Sequence, residues 1–172
     1  TVNAVNDAPR VVSPIADVTS DEDAADTKID LSNVLADADG DQLKFSATSS
    51  DAALVASSIN ASVLTLSYQP NKHGLVTITV IATDPPGASA PDVFTVTVNS
   101  INDAPAAITL DNASVNENLL GALIGKLTIF DPDEGDRHTL TVDDGRFEIV
   151  DAQLKLKDTA SLTRDVESSV AL

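Results

Sequence analysis

Leu75-Val76-Thr77-Ile78-Thr79-Val80-Ile81-Ala82 alternates with a period of two. Val76, Ile78, Val80 and Ala82 fall on one face and Thr77 and Thr79 on the other, as a strand with one buried and one solvated face requires. Asp92-Val93-Phe94-Thr95-Val96-Thr97-Val98 repeats the scheme with Phe94, Val96 and Val98 inward. Asp84-Pro85-Pro86-Gly87 between them is a turn signal. Upstream, residues 44–48 and 63–68 are further strand candidates, set off by Asp39-Gly40-Asp41 and Gln69-Pro70-Asn71. Downstream, the candidates are residues 123–130, 139–142, 146–150 and 153–157, with Val170-Ala171-Leu172 opening another. No segment carries a 3.6-residue period capped at both ends, so the expectation is an all-β chain without a long helix.

A repeat organises these strands. Val5-Asn6-Asp7-Ala8-Pro9 returns as Ile101-Asn102-Asp103-Ala104-Pro105, 96 positions later, and the flanks Thr1-Val2-Asn3-Ala4 and Thr97-Val98-Asn99-Ser100 also match. Such a period suits a seven-stranded sandwich, which needs about 100 residues. The expected organisation is a linker at 1–9, a β-sandwich at 10–100, a linker at 101–105 and a second sandwich at 106–172. The second is too short for the period and is expected to lack about two closing strands, leaving it frayed or completed by another chain. The abrupt start at Thr1-Val2-Asn3 fits a piece from within a longer protein.

Composition narrows the partners. Hydrophobic residues make up 42% of the 172 residues but aromatic ones only 3%, so the cores must be built from Val, Ile, Leu and Ala, with Phe45, Phe94 and Phe130 at core positions. Against 10 basic residues stand 27 acidic ones, a net charge of −17 that repels nucleic acid and anionic membranes. The counter-partner this charge calls for is a cation. Cysteine is absent, so neither disulfides nor thiolate metal sites are available. No run of 18 apolar residues is present, and direct membrane insertion is not expected.

The acidic residues cluster. Asp37-Ala38-Asp39-Gly40-Asp41 and Asp131-Pro132-Asp133-Glu134-Gly135-Asp136 occupy equivalent places in the two repeats. In extended chain, residues i and i+2 face the same way, so each Asp-x-Asp aims two carboxylates at one point. Calcium accepts six to eight oxygens at about 2.3–2.6 Å in irregular geometry, which such a loop with nearby Asn amides and carbonyls can supply. Asp and Gly also make turns without any metal, but duplication at matching positions favours the ion. An EF-hand does not fit: from Asp37, the sixth position is Gln42 and the twelfth Thr48.

Taken together, the Asn-Asp-Ala-Pro linkers, the Asp-x-Asp loops, Ile81-Ala82-Thr83-Asp84 and Val115-Asn116-Glu117-Asn118 resemble the cadherin superfamily. The first unit is similar to bacterial, dystroglycan-type cadherin-like repeats. The second, with Phe147-Glu148-Ile149, Leu154-Lys155-Leu156 and Asp165-Val166-Glu167, is similar to a more typical cadherin repeat. The resemblance implies tandem Greek-key, immunoglobulin-like or cadherin-like sandwiches, the second truncated, with calcium ligands gathered at the joints between modules. For the joint between the units it implies Glu22, Asn102, Asp103, Asp131 and Asp133. For the top of the first unit it implies Asn6, Asp7, Asp37, Asp39 and Asp84, and toward a following module Glu117, Asp165 and Glu167. The first unit lacks an Asp-x-Glu motif, the second ends before its counterpart of Asp84, and Arg164 precedes Asp165, so weaker binding than the family's is implied.

Other chemistry finds little footing. His73 and His138 lie near turns without an acidic or Cys partner at zinc-like spacing and are expected on the surface. There is no Gly-x-Ser-x-Gly elbow, and the paired carboxylates repeat beside linkers, which a cation site explains and glycoside hydrolysis does not. The resemblance implies a non-enzymatic spacer or adhesin module of a large bacterial surface, secreted or biofilm protein. Its partners would be calcium, neighbouring repeats, and homophilic or polysaccharide contacts. The alternative class is a carbohydrate-binding module, although no Trp and a single Tyr, Tyr68, offer little aromatic platform.

Overall fold

The structure is a computed structural model in which residues 5–164 and Ser169 are described. The chain folds as two compact units, Thr1–Ile101 and Asn102–Leu172. The first contains β1 (Arg10–Val11), β2 (Val18–Asp21), β3 (Thr27–Asp30), β4 (Leu35–Ala36), β5 (Lys44–Ser49), β6 (Val55–Asn60), β7 (Val63–Tyr68), β8 (Gly74–Thr83) and β9 (Ser89–Asn99). The second contains β10 (Ala107–Leu110), β11 (Leu123–Phe130), β12 (Phe147–Val150) and β13 (Gln153–Leu156). Among the described residues there is no helix.

The first unit is a β-sandwich. One sheet runs β2-β9-β8-β5, the other β3-β7-β6, and β1 pairs with β4. Every pairing is antiparallel except β2 with β9. The alternation in β8 and β9 places Val76, Ile78, Val80, Ala82, Phe94, Val96 and Val98 in the core, facing Leu64, Leu66 and Tyr68 of the other sheet. Tyr68 keeps its hydroxyl satisfied against Thr27 Oγ1 at 2.6 Å, which lets a polar tip sit at the core margin.

Weak alternation conceals several strands. Val18-Thr19-Ser20-Asp21, Thr27-Lys28-Ile29-Asp30 and Val55-Ala56-Ser57-Ser58-Ile59-Asn60 are ordered by their neighbours in the sheets more than by their own apolar content.

The second unit forms one sheet in the order β10-β11-β13-β12. Its core gathers Ala122, Ile124, Phe147, Leu154 and Leu156, with Val142 and Leu162 packed against it. Two expectations are corrected here. Residues 139–142 form no strand; the equivalent β5 exists because β8 runs beside it, and among the described residues no strand lies next to 139–142. Phe130, expected inside, is 53% exposed, while Phe147 fills the core. Phe130 is the last residue of β11 and pairs with Ala107, a position whose side chain points away from the core face. The possible strand at 170–172, with Asp165, Glu167 and the flank 1–4, lies outside the described residues.

The β12–β13 hairpin turns through Asp151 and Ala152, both with positive φ (51° and 58°). That is the geometry of a type I′ turn, which an alanine adopts at a cost of about 1 kcal/mol. At Gly125 in β11 an added Cβ would meet Asn112 O and Asp111 Oδ1 at 2.5 Å each. Ala152→Gly is therefore expected to raise, and Gly125→Ala to lower, the stability of the second unit by about 1 kcal/mol and about 1–3 kcal/mol. Denaturant unfolding followed by amide signals from each unit would check both, with the first unit's midpoint unchanged.

Candidate metal centres

Both units build the same acidic cup from an Asn-Asp pair and an Asp-x-Asp loop. In the first unit, Asp37 Oδ1 accepts from the Asp39 amide at 2.8 Å, closing an Asx turn. Asp39 Oδ2 then accepts from the Asp7 amide at 2.8 Å, drawing the N-terminal segment onto the loop. Asn6 Nδ2 donates to Asp84 Oδ2 at 2.9 Å and to Asp7 O at 3.2 Å. Asp84, only 4% exposed, also accepts from the Gly87 and Ala88 amides at 2.7 Å and so organises the turn between β8 and β9.

The second unit repeats the wiring. Asp131 Oδ1 accepts from the Asp133 amide at 2.9 Å, and Asp133 Oδ2 from the Asp103 amide at 2.6 Å. Asn102 Nδ2 donates to Asp103 O at 2.9 Å, as Asn6 does to Asp7 O. Asn6, Asp7, Asp37 and Asp39 thus correspond to Asn102, Asp103, Asp131 and Asp133.

Each cup leaves one oxygen over. Asp37 Oδ2 and Asp131 Oδ2 are buried and accept no hydrogen bond; His138 Nε2 stands 3.4 Å from the latter. No Lys or Arg among the described residues forms an ion pair with Asp37, Asp39, Asp41 or Asp84. A buried carboxylate oxygen without a partner is costly, by several kcal/mol when fully desolvated. In the second unit Asp131, Asp133 and Asp136 each offer an oxygen within 4.8 Å of the others. Ligands about 2.4 Å from a shared ion lie at most about 5 Å apart, so this set fits a hard cation such as calcium.

Asp41 and Asp136 join these cups without having been singled out as ligands; the Gly-Asp step after each Asp-x-Asp was the available signal. The Asp41 carboxyl is pushed above its ordinary pKa by burial, then by repulsion from Asp37, Asp39 and Asp84. Asp84 is lowered, chiefly by the Asn6 amide.

The remaining acidic positions differ. Glu22, 4% exposed, takes the Ile101 amide on Oε1 at 2.9 Å and has His73 Nδ1 3.7 Å from Oε2. It follows β2 beside the end of β9, where its amide donates to Asn99 O. Asp84 lies at the other end of β9, so about 33 Å of strand separates the two. Glu117, in the connection between β10 and β11, accepts from the Arg164 amide at 3.2 Å. Both histidines are on the surface as expected, but each has an acidic neighbour that sequence spacing hides. Asp144 is no ligand candidate: the Arg146 guanidinium, then its amide, hold its pKa at about 2.

These features define an Ig-like, cadherin-like β-sandwich protein with acidic clusters in each unit. The chain belongs to the bacterial Ig domain family, whose model (Big_9) matches residues 6–99, more than half of its length. No curated protein matches the chain. Among solved structures, protocadherin gamma B7 extracellular cadherin domains 1–4 superpose with a TM-score of 0.56 at 17% identity, covering 92% of this chain and 42% of that one. Drosophila N-cadherin EC1-4 gives 0.55 at 18%, covering 90% and 41%. An endo-fucoidan hydrolase of glycoside hydrolase family 107 gives only 0.43 at 24%, covering 58% and 15%, and bears on nothing further. The chain spans less than half the length of each of these three, and at such identities the likeness is one of fold.

Two outcomes are expected. Without divalent ions, Asp41→Asn removes a repelled carboxylate and raises the first unit's melting temperature. Asp144, whose folded pKa lies below the unfolded value near 3.9, contributes stability that is present above about pH 4 and lost as pH falls through about 2. Acid unfolding of the second unit should lose that component in Asp144→Asn, as amide spectra between pH 5 and pH 2 would register.

Proposed function

We propose that the chain is a non-enzymatic, calcium-binding spacer or adhesion segment of a larger secreted or surface protein. Calcium occupies the acidic cups and stiffens the Asn-Asp-Ala-Pro connections between successive modules. The observation that carries this reading is the buried oxygen left over in each cup, on Asp37 and on Asp131, which accepts no hydrogen bond although the same wiring holds both loops; the His138 imidazole stands 3.4 Å from the second. Asp7, Asp39 and Asp84 complete the ligand set of the first unit with Asn6. Glu22 from the first unit, with Asn102, Asp103, Asp131 and Asp133 from the second, serves the joint between them, and Glu117, Asp165 and Glu167 serve a following module.

The physics of the switch is charge neutralisation. Without the ion, carboxylates converging within 4.8 Å repel one another; with it, they are bridged and the short tethers stiffen. Fold-level likeness to cadherin ectodomains supports the tandem arrangement, and membership of a bacterial Ig family supports a place outside the cytoplasm.

Calcium titration tests the proposal. At a hundredfold excess over Kd the ion stabilises by about 2.7 kcal/mol, a rise of roughly 10–20 °C in Tm for a unit of this size. Asp37→Asn should abolish the rise for the first unit and Asp131→Asn for the second. Small-angle scattering should report a stiffer particle with calcium than with chelator. Melting curves that coincide in calcium and in chelator would overturn the reading.

A further inference from the structure

The two cups share their wiring but not their chemistry. Each Asp-x-Asp loop runs on into a Gly-Asp step, Gly40-Asp41 in the first unit and Gly135-Asp136 in the second. Two residues after that aspartate the first unit has Leu43, which packs against the core, and the second has His138. The His138 side chain is 22% exposed, and its Nε2 stands 3.4 Å from Asp131 Oδ2. The Asp131 side chain is only 7% exposed, and that oxygen accepts no hydrogen bond. A nitrogen therefore faces the unfilled oxygen of the second cup. Among the described residues no basic side chain, histidine included, stands so beside Asp37.

An ion pair alone does not account for this arrangement. A charge-assisted N–H···O bond closes to about 2.7–2.9 Å, and the imidazole donates none to Asp131 Oδ2. One imidazolium would also balance only one of the three carboxylates of Asp131, Asp133 and Asp136, which offer oxygens within 4.8 Å of one another. The spacing is instead that of two ligand atoms on one ion. Around a tetrahedral zinc, with bonds of about 2.0–2.2 Å to nitrogen and oxygen, neighbouring ligand atoms lie about 3.3–3.5 Å apart. We propose that the second cup takes zinc, with Asp131 Oδ2 and His138 Nε2 as paired ligands and Asp133 and Asp136 completing the set.

The proposal rests on the reading of the cups as cation sites and gives them different preferences. Calcium binds oxygen and gains nothing from an imidazole. Zinc is the softer ion, and imidazole suits it. The first cup, with Leu43 in place of the histidine, stays an all-oxygen calcium site. The second takes calcium where zinc is scarce and yields to zinc where it is present. Asp131 directly follows β11 and is held by its Asx turn, whereas Asp136 is exposed, so rotation of the Asp136 side chain closes the set without moving a strand. His73 does not repeat the arrangement. Its side chain is 58% exposed beside Glu22, and among the described residues no second carboxylate of the first unit joins them.

Zinc and calcium titrations of the 172-residue chain at neutral pH test it, followed by the histidine ring signals and by the amide signals of each unit. Zinc is expected to shift the His138 ring signals and to bind the second cup about tenfold or more tighter than calcium does, leaving the first cup to calcium. His138→Gln should weaken zinc about tenfold or more while changing calcium affinity less than about twofold. Asp131→Asn should weaken both ions at the second cup, and His73→Gln neither. Amide spectra would verify that each variant keeps its fold, and the ring signals of the unaltered chain carry the test without any variant. Zinc that leaves the His138 ring signals in place, or that binds His138→Gln equally well, would overturn the proposal while leaving the calcium reading standing. Zinc held at His138 with no calcium at either cup would uphold it and sink the calcium reading instead.

Discussion

Ten consecutive residue pairs join β8 to β9, and the first unit is arranged around that ladder. Its inner side chains fill the sandwich core, where Ile78, Val80, Ala82 and Val96 are wholly shielded from solvent. Its turn is organised by Asp84, which is at the same time part of the acidic cup. Its far end holds Glu22 through the Ile101 amide. One long hairpin therefore sets two buried acidic residues, Glu22 and Asp84, at opposite ends of a strand about 33 Å long. Because strand side chains alternate, the same hairpin leaves an outer face whose chemistry is free to differ from the core's.

The cups follow from a simpler constraint. A carboxylate has two oxygens, and an Asx turn occupies one. The first Asp of each Asp-x-Asp spends Oδ1 on the amide two residues on, and the second spends Oδ2 on the Asn-Asp segment. The first Asp's other oxygen is left buried without a hydrogen bond, with the His138 imidazole beside it in the second cup. Asp144 shows the contrasting solution: the same turn, with Arg146 supplying the positive charge from within the chain. Among the described residues no Lys or Arg plays that part at Asp37 or Asp131, although the His138 imidazole stands beside the latter.

The strongly alternating strands were legible directly. Residues 75–82 and 92–98 show their inward and outward sides without ambiguity, because burial on one face alone imposes a period of two. The repeat of Asn-Asp-Ala-Pro marked the equivalence of the two units, and the doubled Asp-x-Asp loops marked the cups. Short strands such as Val18–Asp21 and Thr27–Asp30 were not legible, since their order comes from partners far along the chain. The same dependence misled in the opposite direction at residues 139–142, where alternation is present and a neighbouring strand is not. Phe130 was misjudged for a related reason: pairing with Ala107 turned it outward, while the β12–β13 hairpin brought Phe147 into the core.

Local pattern thus determined which stretches extend, where they turn, and which acidic residues share a loop, since each depends on residues a few positions apart. Tertiary structure alone decided that Asp39 accepts from Asp7 across 32 positions, that Asn6 reaches Asp84 across 78, and that Glu22 and Asp131 acquire histidine neighbours. It also decided which carboxylate oxygen stays unsatisfied. That outcome depends on the direction of every nearby donor, and directions are set only when the strands that carry them have paired.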